Sequence, residues 1–174
     1  VVAQKAIPGL YNEITSTEID KYLAETAAAL TVEHPDYSNL AARIKVNALH
    51  KETPGFLIAS QHLYEDGLLN EGYYQKILKN AEEIESIIDY DLDYNFDYFA
   101  LTTLTRAYLL KYNGKVIERP QDLWMRVALT IACDEFNYDK VKYTYSALSQ
   151  GFYTHATPTL FNSGLKMQQL SSCF

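Results

Sequence analysis

The residues able to do chemistry gather at the C-terminal end of the sequence. They lie in His155-Ala156-Thr157-Pro158-Thr159-Leu160-Phe161-Asn162-Ser163-Gly164 and in Gln169-Leu170-Ser171-Ser172-Cys173-Phe174. Small hydroxyl side chains flanked by backbone N–H groups suit anionic oxygens, because several donors converge with no long side chain intervening. A cysteine beside such donors would be held near a bound anionic substrate. The same residues also read as ordinary turn chemistry, with the cysteine as a small buried apolar group. Residue types alone leave both readings open. Pro158 lacks the N–H a helix interior needs and disfavours helical geometry at Thr157. Asn162-Ser163-Gly164 signals a turn. The stretch is therefore expected to be a loop leading into a short extended run that ends in Ser171-Ser172-Cys173.

The elements that must position this stretch are mostly helical. Val1 to Tyr11 is an apolar start broken by Pro8-Gly9. Thr15-x-x-Glu18 is a capping box, followed by Ile19, Tyr22, Leu23, Ala27 and Leu30 at helical spacing. His34-Pro35-Asp36 breaks that helix and starts a second, with Tyr37, Leu40, Ala41, Ile44 and Ala48 on one face, ending near His50-Lys51 before Pro54-Gly55. Phe56 to Asn70 predicts a short helix and a turn at Asp66-Gly67. Ile77, Leu78, Ala81, Ile84 and Ile88 predict one further helix.

Asp89 to Phe99 alternates carboxylates with aromatics. It lacks the glycine and the terminal glutamate of a calcium-binding EF-hand loop, so it reads as a loop that half-buries its aromatics and leaves its acids in water. From Arg106 to Arg119 the pattern is a β-hairpin: Tyr108 to Tyr112 as one strand, Asn113-Gly114 as a type I′ turn, Lys115 to Glu118 as the return. Pro120 suits the first turn of the next helix, whose Trp124, Val127, Ala128 and Ile131 share a face. Cys133 lacks a CxxC partner or a histidine at ligand spacing and reads as structural. A last helix, Tyr138 to Phe152, sets Val141, Tyr145, Leu148 and Phe152 on one side.

At 174 residues, 48% hydrophobic and 21% charged, the chain can bury a sizeable core. Fifteen tyrosines are expected to pack with their polar tips at the surface or across an interface. A net charge of −7 leaves no electrostatic footprint for nucleic acid. Neither a long apolar run nor a signal peptide is visible, and two cysteines do not make a disulfide framework, so an intracellular, non-membrane protein is expected. The chain starts without methionine, and both ends read as cut from something larger.

The segment Tyr153 to Gly164 with Gln169 to Phe174 resembles the large, catalytic subunit of class I ribonucleotide reductase, closest to the eukaryotic type. The resemblance extends to Glu118-Arg119-Pro120-Gln121-Asp122-Leu123-Trp124-Met125-Arg126-Val127-Ala128. Ala24-Glu25-Thr26-Ala27-Ala28, His34-Pro35-Asp36-Tyr37, Leu40-Ala41-Ala42-Arg43-Ile44 and His50-Lys51-Glu52-Thr53 carry it too, in family order along the chain.

The resemblance implies three parts. Residues 1–53 would be the later part of an ATP-cone, the overall-activity domain. Residues 54–153 would be a helical domain with a hairpin near 107–118. Residues 154–174 would begin a ten-stranded α/β barrel lying mostly downstream. The implied fold class is mainly α with one hairpin.

It also implies the reduction of ribonucleoside diphosphates to 2′-deoxyribonucleoside diphosphates by thiyl-radical chemistry. Cys173 would be the first cysteine of the redox pair, with Thr157 at the diphosphate and Ser172 beside the ribose. His155 would be a neighbour of the site rather than its base. Ser16, Asp20 and Lys51 would contact ATP or dATP as effectors.

The implied partners are a radical-generating small subunit that holds the radical cofactor, a thioredoxin- or glutaredoxin-type reductant, and further copies of the chain in a homodimer or higher oligomer. The large subunit itself would hold no cofactor, and the setting would be the cytoplasm. The radical-forming cysteine, the second redox cysteine and the specificity site would lie beyond Phe174, so this stretch alone is expected to be inactive. The alternative reading is a non-catalytic helical module for regulation or oligomerisation.

Overall fold

The computed structural model describes residues 1–132 and 135–172. Most of it is helix. A short helix α1 (Val2–Ala6) leads through a 3-10 turn over Ile7–Gly9 to α2 (Ser16–Ala29). The expected capping box starts α2: Glu18 N–H donates to the Thr15 hydroxyl, and the Glu18 carboxylate accepts from Thr15 N–H at 2.9 Å. Helix α3 (Asp36–Glu52) folds back along α2. Ala24 and Ala27 of α2 and Ala41 and Ala42 of α3 are all buried, and their small side chains let the two helices approach closely.

Beyond α3 come α4 (Phe56–Glu65), α5 (Glu71–Lys79), α6 (Ala81–Ile87) and α7 (Tyr98–Thr103). Where the periodicity predicts one helix through Ile88, Asn80 leaves helical geometry at φ −127° and ψ 30° and divides α5 from α6. The acidic stretch before α7 is a 3-10 helix, Tyr90–Asn95, and it corrects the expectation that all of its acids are wet: Asp93 is 0% exposed.

The hairpin is present but shorter than its pattern. Strands β1 (Lys111–Tyr112) and β2 (Lys115–Val116) pair antiparallel, Lys111 opposite Val116 and Tyr112 opposite Lys115. Asn113 and Gly114 have φ of 49° and 76°, the left-handed pair that a type I′ turn requires. Tyr108, expected in the strand, instead ends a π-helical turn over Leu104–Tyr108 that continues α7.

Helix α8 (Pro120–Ile131) runs through the middle of the domain, buried on all sides from Pro120 to Leu129. Leu123, Met125, Val127 and Leu129 are each 0% exposed, and such side chains contribute about 1.5–3 kcal/mol apiece when buried. Helix α9 (Tyr138–Ser149) packs on α8 through Val141, Tyr145 and Leu148. Phe152, expected on that same face, lies past the helix end and is 77% exposed.

The C-terminal stretch departs most from its pattern. Thr157–Asn162 is a helix, α10, with Pro158 in its first turn. A proline is tolerated there because first-turn N–H groups have no intrahelical acceptor. The turn after it forms as expected, with Gly164 at φ 76°. The extended run expected next is not formed among the described residues: the segment makes a single bridge, Leu165 to Leu69, flanked by Lys166 N–H to Leu68 O at 2.9 Å and Asn70 N–H to Gly164 O at 2.9 Å, and then bends at Lys166 and Met167.

Candidate functional site

Helix α10 carries Thr157 at its start, exposed to solvent. The Thr157 hydroxyl lies 3.4 Å from the Tyr108 hydroxyl, and the Tyr108 ring packs on Phe161 of the same helix at 4.9 Å between centroids. The chain then folds back on α10. The Thr159 hydroxyl donates to Leu170 O at 3.0 Å, and the Asn162 amide donates to Gln169 O at 2.7 Å. These bonds hold the segment leading to Ser172 against the helix that begins with Thr157. Ser172 is exposed. Cys173 and Cys133 lie outside the described residues. His155, just before α10, packs edge-on against Tyr153 at 5.3 Å, and its Nε2 is buried without a hydrogen-bond partner among the described residues.

Beneath α10 lies a polar interior that the apolar periodicity of α8 does not announce. Arg126 Nε donates to Glu118 at 2.5 Å, and the same guanidinium donates to Ser163 O at 2.8 Å and to Leu160 O at 3.0 Å. Last-turn carbonyls have no partner within their own helix, so Arg126 caps the C-terminal end of α10 from below. Glu118 also accepts from Leu110 N–H at 2.9 Å, which ties the hairpin into the same cluster.

A second cluster joins α8 to the end of α3. Arg119 donates to Thr53 O at 2.7 Å, to the Thr53 hydroxyl at 2.9 Å and to His50 O at 3.2 Å, and its guanidinium lies over the Tyr90 ring at 4.5 Å. Asp122 accepts from Tyr90 OH at 2.7 Å and from Arg119 N–H at 2.8 Å. Burial nonetheless raises the Asp122 carboxyl to about 7, since a desolvated carboxylate is costly whatever its partners. Asp93 is shifted upward by the same cause, opposed by His50 at 2.7 Å and by Gln121 N–H at 3.2 Å. Tyr145 OH bridges the helices, donating to Gln121 at 2.8 Å and accepting from Asp89 N–H at 3.0 Å. A signal for this was present: Arg119, Asp122 and Arg126 are spaced i, i+3, i+7, one stripe of polar groups on a helix whose remaining positions are largely apolar.

Two of the three expected effector contacts meet. Lys51 near the end of α3 pairs with Asp20 of α2 at 2.8 Å. Ser16 opens α2 one turn before Asp20 and is exposed. Asp20 also lines a cleft of about 630 Å³ between the α2–α3 pair and the α7–hairpin region. Three lysines there, Lys21, Lys45 and Lys115, face Asp20, Glu25 and Glu52, so their charges offset. Lys45 is already engaged, donating to the Thr102 hydroxyl at 2.9 Å and lying over the Tyr98 ring at 5.1 Å. No group of three or more His, Cys, Asp or Glu among the described residues has the arrangement to hold a metal ion. None of the described helices is long and apolar enough to cross a membrane.

Residues 94–168 match the family described as "Ribonucleotide reductase, all-alpha domain". The chain is 44% identical to the ribonucleoside-diphosphate reductase large subunit of Arabidopsis thaliana, over 100% of the chain and 22% of that protein. It is 42% identical to the large subunit of Dictyostelium discoideum, over 99% of the chain and 21% of that protein. The large chain of Schizosaccharomyces pombe is likewise 42% identical, over 99% of the chain and 22% of that protein. The chain thus spans about a fifth of the length of the relatives it matches.

Proposed function

Since the chain belongs to the ribonucleotide reductase large-subunit family, we propose that it is part of an enzyme that reduces ribonucleoside diphosphates to 2′-deoxyribonucleoside diphosphates, the precursors of DNA. The observation carrying this reading is the 42–44% identity sustained over 99–100% of the chain. An isolated matching motif would not have that reach.

In this reading Thr157 donates its hydroxyl to the substrate diphosphate and Ser172 lies beside the ribose. Phosphate oxygens accept strongly from such hydroxyls. Cys173 is the first cysteine of the redox pair. As the 2′ hydroxyl leaves as water, the pair gives up two electrons and becomes a disulfide, which thiol–disulfide exchange with a thioredoxin- or glutaredoxin-type protein returns to two thiols. The radical that starts the reaction comes from a small subunit, through a cysteine outside this chain.

Residues 154–174 are assigned to the beginning of the ten-stranded barrel, residues 54–153 to the helical domain, and residues 1–53 to an ATP-cone. Ser16, Asp20 and Lys51 are its contacts to ATP or dATP. The enzyme works in the cytoplasm as a homodimer or larger oligomer.

The test uses the full-length polypeptide with its small subunit. Cys173→Ser is expected to abolish turnover with a thioredoxin-type reductant while equilibrium dialysis still detects bound ribonucleoside diphosphate. Turnover of the variant at the unsubstituted rate would overturn the assignment.

A further inference from the structure

We propose that Tyr108 is a second hydroxyl donor to the substrate diphosphate, sharing one phosphate oxygen with Thr157. This rests on the assignment of Thr157 to the diphosphate and adds to it a residue from a different element. The two hydroxyl oxygens are 3.4 Å apart, longer than the roughly 2.7–2.8 Å of a well-formed O–H···O bond. Neither proton is therefore firmly committed to the other oxygen. An anionic oxygen seated between them would accept from both, and a bond from a hydroxyl to a charged acceptor is about twice as strong as one between neutral groups.

Tyr108 is built to present that hydroxyl. Its ring is held by Phe161 at 4.9 Å and 43°, a packing role that phenylalanine would fill equally well. Its backbone is fixed from the following residues, with Leu109 N–H on Leu104 O at 3.0 Å and Leu110 N–H on Glu118 at 2.9 Å. Among the described residues, the phenol has Thr157 as its hydrogen-bond partner. The phenolic proton is also more acidic than that of an aliphatic alcohol, with a pKa of about 10, which makes it the stronger donor of the pair. Tyr108 is half-buried and Thr157 exposed, and their hydroxyl pair lies at the exposed surface, where a ligand can reach it.

The experiment compares Tyr108→Phe, Thr157→Val and the double variant in the full-length polypeptide with its small subunit. It measures the Kd of a labelled ribonucleoside diphosphate by equilibrium dialysis, and KM and kcat separately. Each single variant is expected to weaken binding about tenfold, the loss of one hydrogen bond to a charged group. The change should fall in KM rather than kcat. The double variant should lose less than the product, because the two hydroxyls serve one oxygen. Competition by the unphosphorylated nucleoside should be unaffected in all three.

Unchanged binding in Tyr108→Phe with weakened binding in Thr157→Val would overturn the role of Tyr108 and leave the proposed function standing. Unchanged binding in both would overturn the assignment of Thr157 and this inference with it. Phe161→Leu loosens the same ring contact but keeps both hydroxyls, and is expected to weaken binding less than about twofold. A loss matching that of Tyr108→Phe would show that packing alone is responsible and overturn the proposal.

Discussion

Arg126 and Glu118, eight residues apart, meet at 2.5 Å with side chains only 2% and 3% exposed. Each partner reaches a third element. Arg126 holds the last carbonyls of α10, and Glu118 holds the backbone of the residue before β1. The pair thus fixes the helix bearing Thr157 to the hairpin whose approach bears Tyr108. That relationship sets how precisely the two hydroxyls face one another.

Removing one member should be severe. In Arg126→Met, Glu118 becomes a buried charge without its partner, and the carbonyls of Leu160 and Ser163 lose their donors. Breaking a buried pair from one side costs about 3–5 kcal/mol, to be read from the shift in urea-unfolding midpoint. The double variant Arg126→Met with Glu118→Leu should recover only part of this. The charge is gone, but the two carbonyls and Leu110 N–H remain unpaired. Full recovery would show that the pair does not anchor α10.

Asp122 gives stability a defined pH dependence. Its folded pKa, about 7, lies above the ordinary 3.8 because burial opposes ionisation. Between those values the unfolded chain has released its proton and the folded chain retains it, so this residue's contribution falls as pH rises from about 4 to about 7 and then levels off. Asp122→Asn removes that dependence. The stability difference between variant and parent should shift in the variant's favour across this window and become constant above it, measured by urea unfolding at a series of pH values. Asp93 titrates in both proteins and drops out of the difference. A pH-independent difference would refute the raised carboxyl.

The helices around this interior were legible because their signals are local. Thr15 with Glu18, Pro120 at the start of α8 and Asn113-Gly114 in the hairpin each act within a few residues of one another. What remained hidden was non-local. Asp93 resembles its acidic neighbours in sequence and is buried only because His50 and Gln121, distant along the chain, supply its partners. Pro158 argued for a loop by its usual effect inside a helix, while α10 starts one residue earlier and places it where that effect vanishes. For the candidate site, residue types left the C-terminal stretch open between turn and anion site, and Thr157 and Ser172 were singled out by the family resemblance alone. The Tyr108 hydroxyl beside Thr157 arises from a π-helical turn that no periodicity foretells.

Gly164 should be intolerant of a side chain. Its φ of 76° is unfavourable to other residues, and a Cβ there would meet the Tyr73 ring at 2.9 Å. The ring itself is buried and cannot move aside cheaply. Gly164→Ala is expected to cost about 1–3 kcal/mol through backbone strain and crowding, seen as a lowered Tm. Hydrogen exchange should show faster opening at Asn70 and Lys166, whose N–H groups bond across this turn. An unchanged Tm would mean that the turn relaxes without loss.

Lys51 separates structural from effector roles. Its pair with Asp20 is 2.8 Å long, but the Lys51 side chain is 63% exposed, and an exposed pair of this kind contributes about 0–1 kcal/mol. Lys51→Ala should therefore leave the unfolding midpoint nearly unchanged. If Lys51 instead serves to meet an effector phosphate, as proposed, its loss removes a cation that a triphosphate would use. Binding of ATP and dATP to the full-length polypeptide should then weaken about tenfold, the value of a charge-assisted hydrogen bond. A variant that binds both nucleotides as tightly as the parent would leave Lys51 as a surface partner of Asp20, and the effector assignment would fall.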